Sequence, residues 1–281
     1  MTDSQPSMPA RFELPARTVS GIVLGVAAVA AVAGGEFLFS VLVAAGAIAA
    51  LREWHRLINA GHLARETIPT GLAMIATVWL AHAGQGVALA LGAIILGACG
   101  AALLAASRRL PAFWPIPWHA FGAVYVGVPA LAFVLLRGEP RGAAIVGGLF
   151  VAVWTADTGA LIFGRLIGGP KLAPVLSPNK TWAGFLGGTL AAGMAEGLYV
   201  GLLGGGILQA VAFGVFLALA GHSGDLFESW VKRQFHAKNT GRLIPGHGGI
   251  LDRIDSLLFA APACAALMFL AGFNPLNGVA S

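Results

Sequence analysis

The chain has 281 residues, of which 57% are hydrophobic and only 10% are charged, with a formal net charge of +5. Soluble domains are about a quarter charged, so this composition excludes an ordinary water-soluble fold. Several apolar stretches reach the roughly 20 residues that cross about 30 Å of hydrocarbon, which also excludes one very hydrophobic soluble core and points to a polytopic membrane protein.

In chain order, residues 1–17 read as a polar cytoplasmic tail, and an apolar run begins near Val19 behind Arg11 and Arg17. A cleaved signal peptide would start the same way. Here, however, the run passes through Gly34, Gly35 and Glu36 into a second apolar stretch ending at Arg52, so a retained helical hairpin is expected. Apolar runs between polar breaks predict nine spans, near 18–34, 36–51, 67–83, 86–106, 119–136, 142–164, 183–203, 206–224 and 252–272. All are expected to be helices, because lipid offers no partner to an open backbone and the runs lack the alternation of a barrel strand. The expected fold is therefore all-α and polytopic, with the N-terminus cytoplasmic. That orientation puts fifteen of the 17 Lys and Arg residues on the cytoplasmic side, leaving only Arg137 and Arg141 opposite.

Cys99 and Cys264 each sit in an apolar segment with no His or second Cys at ligand spacing, so they read as packing residues. Forty glycines are scattered through the spans, as at Gly184, Gly187 and Gly188, where small residues let helices approach closely. No internal repeat is evident.

Polar residues inside this apolar chain are the candidates for chemistry. Asp157 lies near the end of the sixth span and Glu196 midway along the seventh, and intramembrane acids are functional candidates by default. Lys171, Ser177, Pro178, Asn179, Lys180 and Thr181 precede the seventh span, where a Lys and hydroxyl donors at a helix start suit a phosphate; a plain basic loop is the alternative. Asp225, Ser229 and Lys232 recur at four- and three-residue spacing, so a helix sets them on one face with Glu228 and Arg233 alongside. A helix end with snorkelling cations would look alike.

The chain then runs through Pro245, Gly246, His247, Gly248 and Gly249 into Asp252, Arg253 and Asp255, which open the ninth span. Glycines before a helix start can leave N–H groups facing an anion, aided by the helix dipole. Asp252 and Asp255 are three apart and so are neighbours on that helix; as hard oxygen ligands they suit magnesium, which takes one or two carboxylates plus phosphate oxygens. A capped helix start with an internal Asp and Arg pair is the structural alternative.

The stretch from Ser229 to Asp255 resembles the signature of the phosphatidate cytidylyltransferases, or CDP-diacylglycerol synthases. The matching residues are Ser229, Val231, Lys232 and Arg233, Lys238, Gly241, Pro245, His247 to Gly249, Asp252, Arg253 and Asp255. Gly224-Asp225-Leu226, the run Asp157 to Ala160, Gly164-Arg165, Ser177-Pro178, Lys180 to Trp182 and Gly184 also look like family elements in family order. The resemblance covers about 150–260, and the N-terminal half is similar only in its apolar character. Two positions depart from the pattern: Lys238-Asn239 stands where the family usually has Lys-Asp, and Trp182-Ala183-Gly184 where it often has Trp-Glu-Gly.

The resemblance implies synthesis of CDP-diacylglycerol and pyrophosphate from CTP and phosphatidic acid at the cytoplasmic leaflet of a bacterial-type inner membrane. It divides the chain after the tail into N-terminal transmembrane helices at 18–140, a catalytic transmembrane region at 141–273 and a short tail at 274–281. Under it Asp225, Asp252, Lys232 and Arg233 are the catalytic residues. Asp225, Asp252 and Asp255 would hold magnesium, with room for a second cation. Ser177, Lys180, Thr181, Lys238, Arg242, His247, Gly248, Gly249 and Arg253 would bind substrate. The lipid phosphate serves as nucleophile, so no Ser or Cys nucleophile is needed.

The partners expected are the two substrates and the bilayer. Nucleic acid is not among them, since aromatic stacking platforms and a recognition helix are lacking. Small-residue helix faces are compatible with a homodimer. Two other classes compete: a transporter using Asp157, Glu196 and Asp225 along an ion path, and a CTP-dependent polyprenol kinase, which would release CDP instead of pyrophosphate.

Overall fold

The computed structural model describes residues 10–62, 64–107, 115–237, 239–241 and 248–276. Among them are nine helices: α1 Ala10–Ala33, α2 Glu36–Ile58, α3 Thr67–His82, α4 Val87–Ser107, α5 Pro115–Gly138, α6 Gly142–Leu166, α7 Trp182–Leu202, α8 Ile207–Gln234 and α9 Leu251–Ala271. Among the described residues α2 and α4 to α9, seven helices, are long and apolar enough to cross a bilayer. The chain is an integral membrane protein of the all-α, polytopic class. α3, with 16 residues, is the short one of the expected spans, and α1 runs for 24 residues from Ala10 to Ala33.

One feature was not expected from the pattern, and one expected span end was set short of its helix. A short antiparallel hairpin, β1 Lys171–Ala173 and β2 Ser177–Thr181, stands between α6 and α7, with Lys171 opposite Thr181 and Ala173 opposite Ser177. α8 also continues ten residues past the span end expected at 224, to Gln234, carrying Asp225 to Arg233 on one unbroken helix. Apolarity alone reported where the hydrophobic run stopped, and the backbone ladder does not stop there.

The C-terminal helices pack in sequence, α6 on α7, α7 on α8 and α8 on α9, with α5 against α9. The α6/α7 contact is close because glycine allows it: a Cβ at Gly188 or Gly184 would fall within 3.0 Å of the backbone oxygen of Ala156 or Ala160. One apolar core joins Leu149 and Val153 of α6, Phe213 and Leu217 of α8, and Ala260 and Cys264 of α9. A second joins Leu51 and Trp54 of α2, Tyr125 and Val126 of α5, Val231 of α8, and Leu251 and Leu258 of α9. In this second core Trp54, Trp118, Tyr125, Phe227 and Trp230 form a chain of ring contacts, and the Trp54 indole N–H donates to the Trp118 carbonyl at 2.8 Å. These rings brace the end of α8 from behind.

Candidate active site

The ends of α6 and α8, the starts of α7 and α9 and the hairpin surround a cavity of about 940 Å³. Its described wall carries Asp157 from α6, Asn179, Lys180 and Thr181 from β2, Asp225 and Lys232 from α8, and Asp252, Arg253 and Asp255 from α9, with Asn239 from the loop between. Four residue groups separated by up to about a hundred positions in sequence therefore meet in one place. Four carboxylates line it against Arg165, Lys171, Lys180, Lys232 and Arg253, leaving one positive charge in excess.

Two ion-pair systems organise the wall. Lys180 of β2 pairs with Asp225 of α8, tying the Ser177–Thr181 patch to the helix that carries Asp225, Ser229 and Lys232. Lys232, in the last turn of α8, pairs with Glu228 one turn before it and with Asp252 Oδ1 at 3.0 Å across the loop. Asp225 acts electrostatically on both Asp157 and Asp255. Asp255 Oδ1 also accepts the Ser256 backbone N–H at 2.8 Å.

Asp252 is the most heavily bonded member. Beyond Lys232, its carboxylate accepts the Thr240 N–H, at 3.3 Å on Oδ1 and 3.1 Å on Oδ2, and the Gly249 N–H at 2.9 Å on Oδ2. The Gly249 N–H, expected to face a bound anion, is thus taken by an anion of the chain itself. Gly248 sits at φ +81 beside that carboxylate, where a Cβ would come within 3.0 Å of Asp252 Oδ2; only glycine turns the chain there without strain. Thr181 caps α7, its Oγ1 accepting the Gly184 N–H at 3.1 Å, so its hydroxyl oxygen already has a local task.

Of the other expected site residues, Ser177, Ser229 and Arg233 are described but lie outside the cavity wall, with Arg233 exposed; Gly248 and Gly249 shape the loop behind it. Lys238, Arg242 and His247 lie outside the described residues. Glu196 is buried in α7 against Gly148 and Gly214, away from this wall. Sequence reasoning missed Glu53 of α2, which is buried behind the loop and accepts the Leu251 N–H at 2.9 Å and the Thr240 hydroxyl at 3.4 Å on Oε2. Its one signal was an acid between Arg52 and Arg56 in the last turns of an apolar span.

Four aspartates, Asp157, Asp225, Asp252 and Asp255, are the oxygen donors of the described wall. Among the described residues no three His, Cys, Asp or Glu side chains gather as a closed metal cage. A magnesium ion held by one or two of the aspartates would have to complete its coordination with waters and substrate phosphate oxygens.

Residues 15–271 match the cytidylyltransferase family. The chain is 40% identical over 262 residues to a protein of Brucella suis biovar 1 (strain 1330) named phosphatidate cytidylyltransferase, covering 92% of this chain and 93% of the relative. Proteins of the same name from Staphylococcus haemolyticus (strain JCSC1435) and Staphylococcus aureus (strain COL) are 38% and 39% identical, over 58% of this chain and 62% of each relative.

Proposed function

This chain belongs to the cytidylyltransferase family, and we propose that it makes CDP-diacylglycerol and pyrophosphate from CTP and phosphatidic acid. The observation that carries the reading is the single cavity in which Lys180 and Asp225, Lys232 and Asp252, Asp157 and Asp255 share one wall at the ends of membrane-crossing helices. Such a site meets a lipid headgroup from the bilayer and a nucleotide from water. The fifteen-to-two distribution of Lys and Arg supports placing it on the cytoplasmic side, and the family's presence in bacteria such as Brucella supports the inner membrane.

The chemistry is an in-line displacement. A phosphate oxygen of phosphatidic acid attacks the α-phosphorus of CTP, and the bond from that phosphorus to the bridging oxygen of the β-phosphate breaks, so that pyrophosphate leaves with the electron pair. Nucleophile and electrophile are both anions, and the catalyst's task is to align them and offset their repulsion. Lys180 and Lys232 each place a cation on the cavity wall, in ion pairs with Asp225 and Asp252. Arg253 lines the same wall, and Arg165 stands on the α6 side. Lys232 and Arg253 are assigned to the triphosphate and its leaving group, with Arg233, Lys238 and Arg242 nearby in sequence; Lys180 is assigned to a substrate phosphate.

One excess positive charge in the described wall does not neutralise a triphosphate and a phosphate monoester together, which favours a divalent cation. Asp225, Asp252 and Asp255 would hold it, and magnesium bound there would offset charge between the two substrates. The test is purified protein in detergent with CTP, phosphatidic acid and magnesium. CDP-diacylglycerol with equimolar pyrophosphate is expected; release of CDP with a phosphorylated lipid would replace this reading with a lipid kinase.

A further inference from the structure

We propose that Glu53 is a positioning residue of this site, a clamp that holds the two arms of the loop between α8 and α9 in register. This rests on the enzymatic reading above and adds a member from the N-terminal half, where no site residue was expected. The loop leaves α8 after Gln234 and returns at Leu251, and its described arms are Asn239 to Gly241 and Gly248 to Ile250. Glu53 bonds one residue on each side: Oε2 accepts from the Thr240 hydroxyl and from the Leu251 N–H.

Asp252 bonds the same two arms from the cavity side, through the Thr240 and Gly249 N–H groups. The arms are therefore held between two carboxyl groups, one facing substrate and one behind. Removing the rear one frees Thr240, and with it the face of Asp252 and the position of Asn239 in the cavity wall.

The glycines of the loop record how tightly this clamp closes. A Cβ at Gly241 would lie within 3.0 Å of Glu53 Oε1 and Cδ, and its three nearest atoms all belong to Glu53. A Cβ at Gly249 would lie within 3.0 Å of Glu53 Oε2 and of Thr240 Oγ1. Neither glycine has a positive φ, so backbone conformation does not demand glycine there. The space taken by Glu53 does. Two glycines of the motif thus exist to admit an acid nearly two hundred residues earlier in the chain.

The test is a double-mutant cycle read by steady-state kinetics on folded, size-selected protein in detergent. Glu53→Ala is expected to raise the KM for CTP about tenfold or more, because loosened phosphate-binding groups misplace substrate. Gly241→Ala should do the same in the natural background and add nothing to Glu53→Ala, since the atoms that it strikes are then gone. Glu53→Gln keeps an amide oxygen for Leu251 and Thr240 and should stay within about threefold of the parent.

The clamp is overturned by natural KM and kcat in Glu53→Ala, by additive effects of the two substitutions, or by a loss confined to the yield of folded protein with KM intact. Amide exchange separates this outcome from a failure of the enzymatic reading. Even without CDP-diacylglycerol synthesis, protection at Thr240 and Leu251 should fall in Glu53→Ala and hold in Glu53→Gln.

Discussion

Replacing Lys232 by Met tests the charge balance on which the site is built. The ammonium sits between Glu228 and Asp252, with the three side chains 17%, 1% and 6% exposed, so neither carboxylate can turn to bulk water when it is gone. Removing one partner of a buried pair costs about 3–5 kcal/mol. Asp252 keeps the Thr240 and Gly249 N–H groups, whereas Glu228 loses its one ion pair among the described residues. The cost falls mainly on Glu228, which puts Lys232→Met near the lower bound, about 3 kcal/mol. Adding Glu228→Gln removes the stranded charge and should recover most of that stability, while activity stays lost because the cation for the triphosphate is still missing. Thermal unfolding in detergent, followed by tryptophan fluorescence, and CDP-diacylglycerol formation read the two effects separately. Equal melting of Lys232→Met and the parent, or no recovery from Glu228→Gln, would refute the reasoning.

Asp225→Asn should cut turnover by about a hundredfold or more and weaken the dependence on magnesium concentration, measured by titrating the metal at saturating CTP. Gly188→Val forces a side chain toward the Ala156 carbonyl, and the strain of overpacking α6 against α7, about 1–3 kcal/mol or more, should appear as a lower melting temperature. Thr181→Ala removes the cap of α7 and should cost about 1 kcal/mol, with Thr181→Ser close to the parent; an effect on KM for either substrate without loss of stability would give that hydroxyl a substrate role.

The hydrophobic pattern was enough to place nine helices in order, because each span must satisfy its own backbone in lipid and so announces itself locally. The helical spacing of Asp225 and Lys232 likewise anticipated a shared helix, and both line the cavity. Other parts of the site depend on distant neighbours. Glu53 lies 187 residues from Thr240 and 198 from Leu251, and no period in the sequence links them. The hairpin at Lys171–Thr181 was hidden because three- and five-residue strands are too short to show alternation. The engagement of Asp252 with Lys232, Thr240 and Gly249 follows from how the loop closes, which the residue types alone leave open.

The reach of α8 fixes the depth at which the reaction takes place. Its 28 residues, at about 1.5 Å each, extend about 42 Å, whereas the hydrocarbon layer is about 30 Å thick. Were α8 to start at the far boundary and run along the membrane normal, it would project about 12 Å beyond the near one, with Lys232 toward its tip and Asp225 about 14 Å below its end. Lys232 would then stand among the phospholipid headgroups and Asp225 at their base, near the hydrocarbon boundary. A lipid phosphate can be attacked from, and released at, the level it occupies in the leaflet, with its acyl chains still among their neighbours. The enzyme has no need to lift its substrate out of the membrane, and its rate should follow the lateral density of phosphatidic acid in the bilayer rather than the bulk amount.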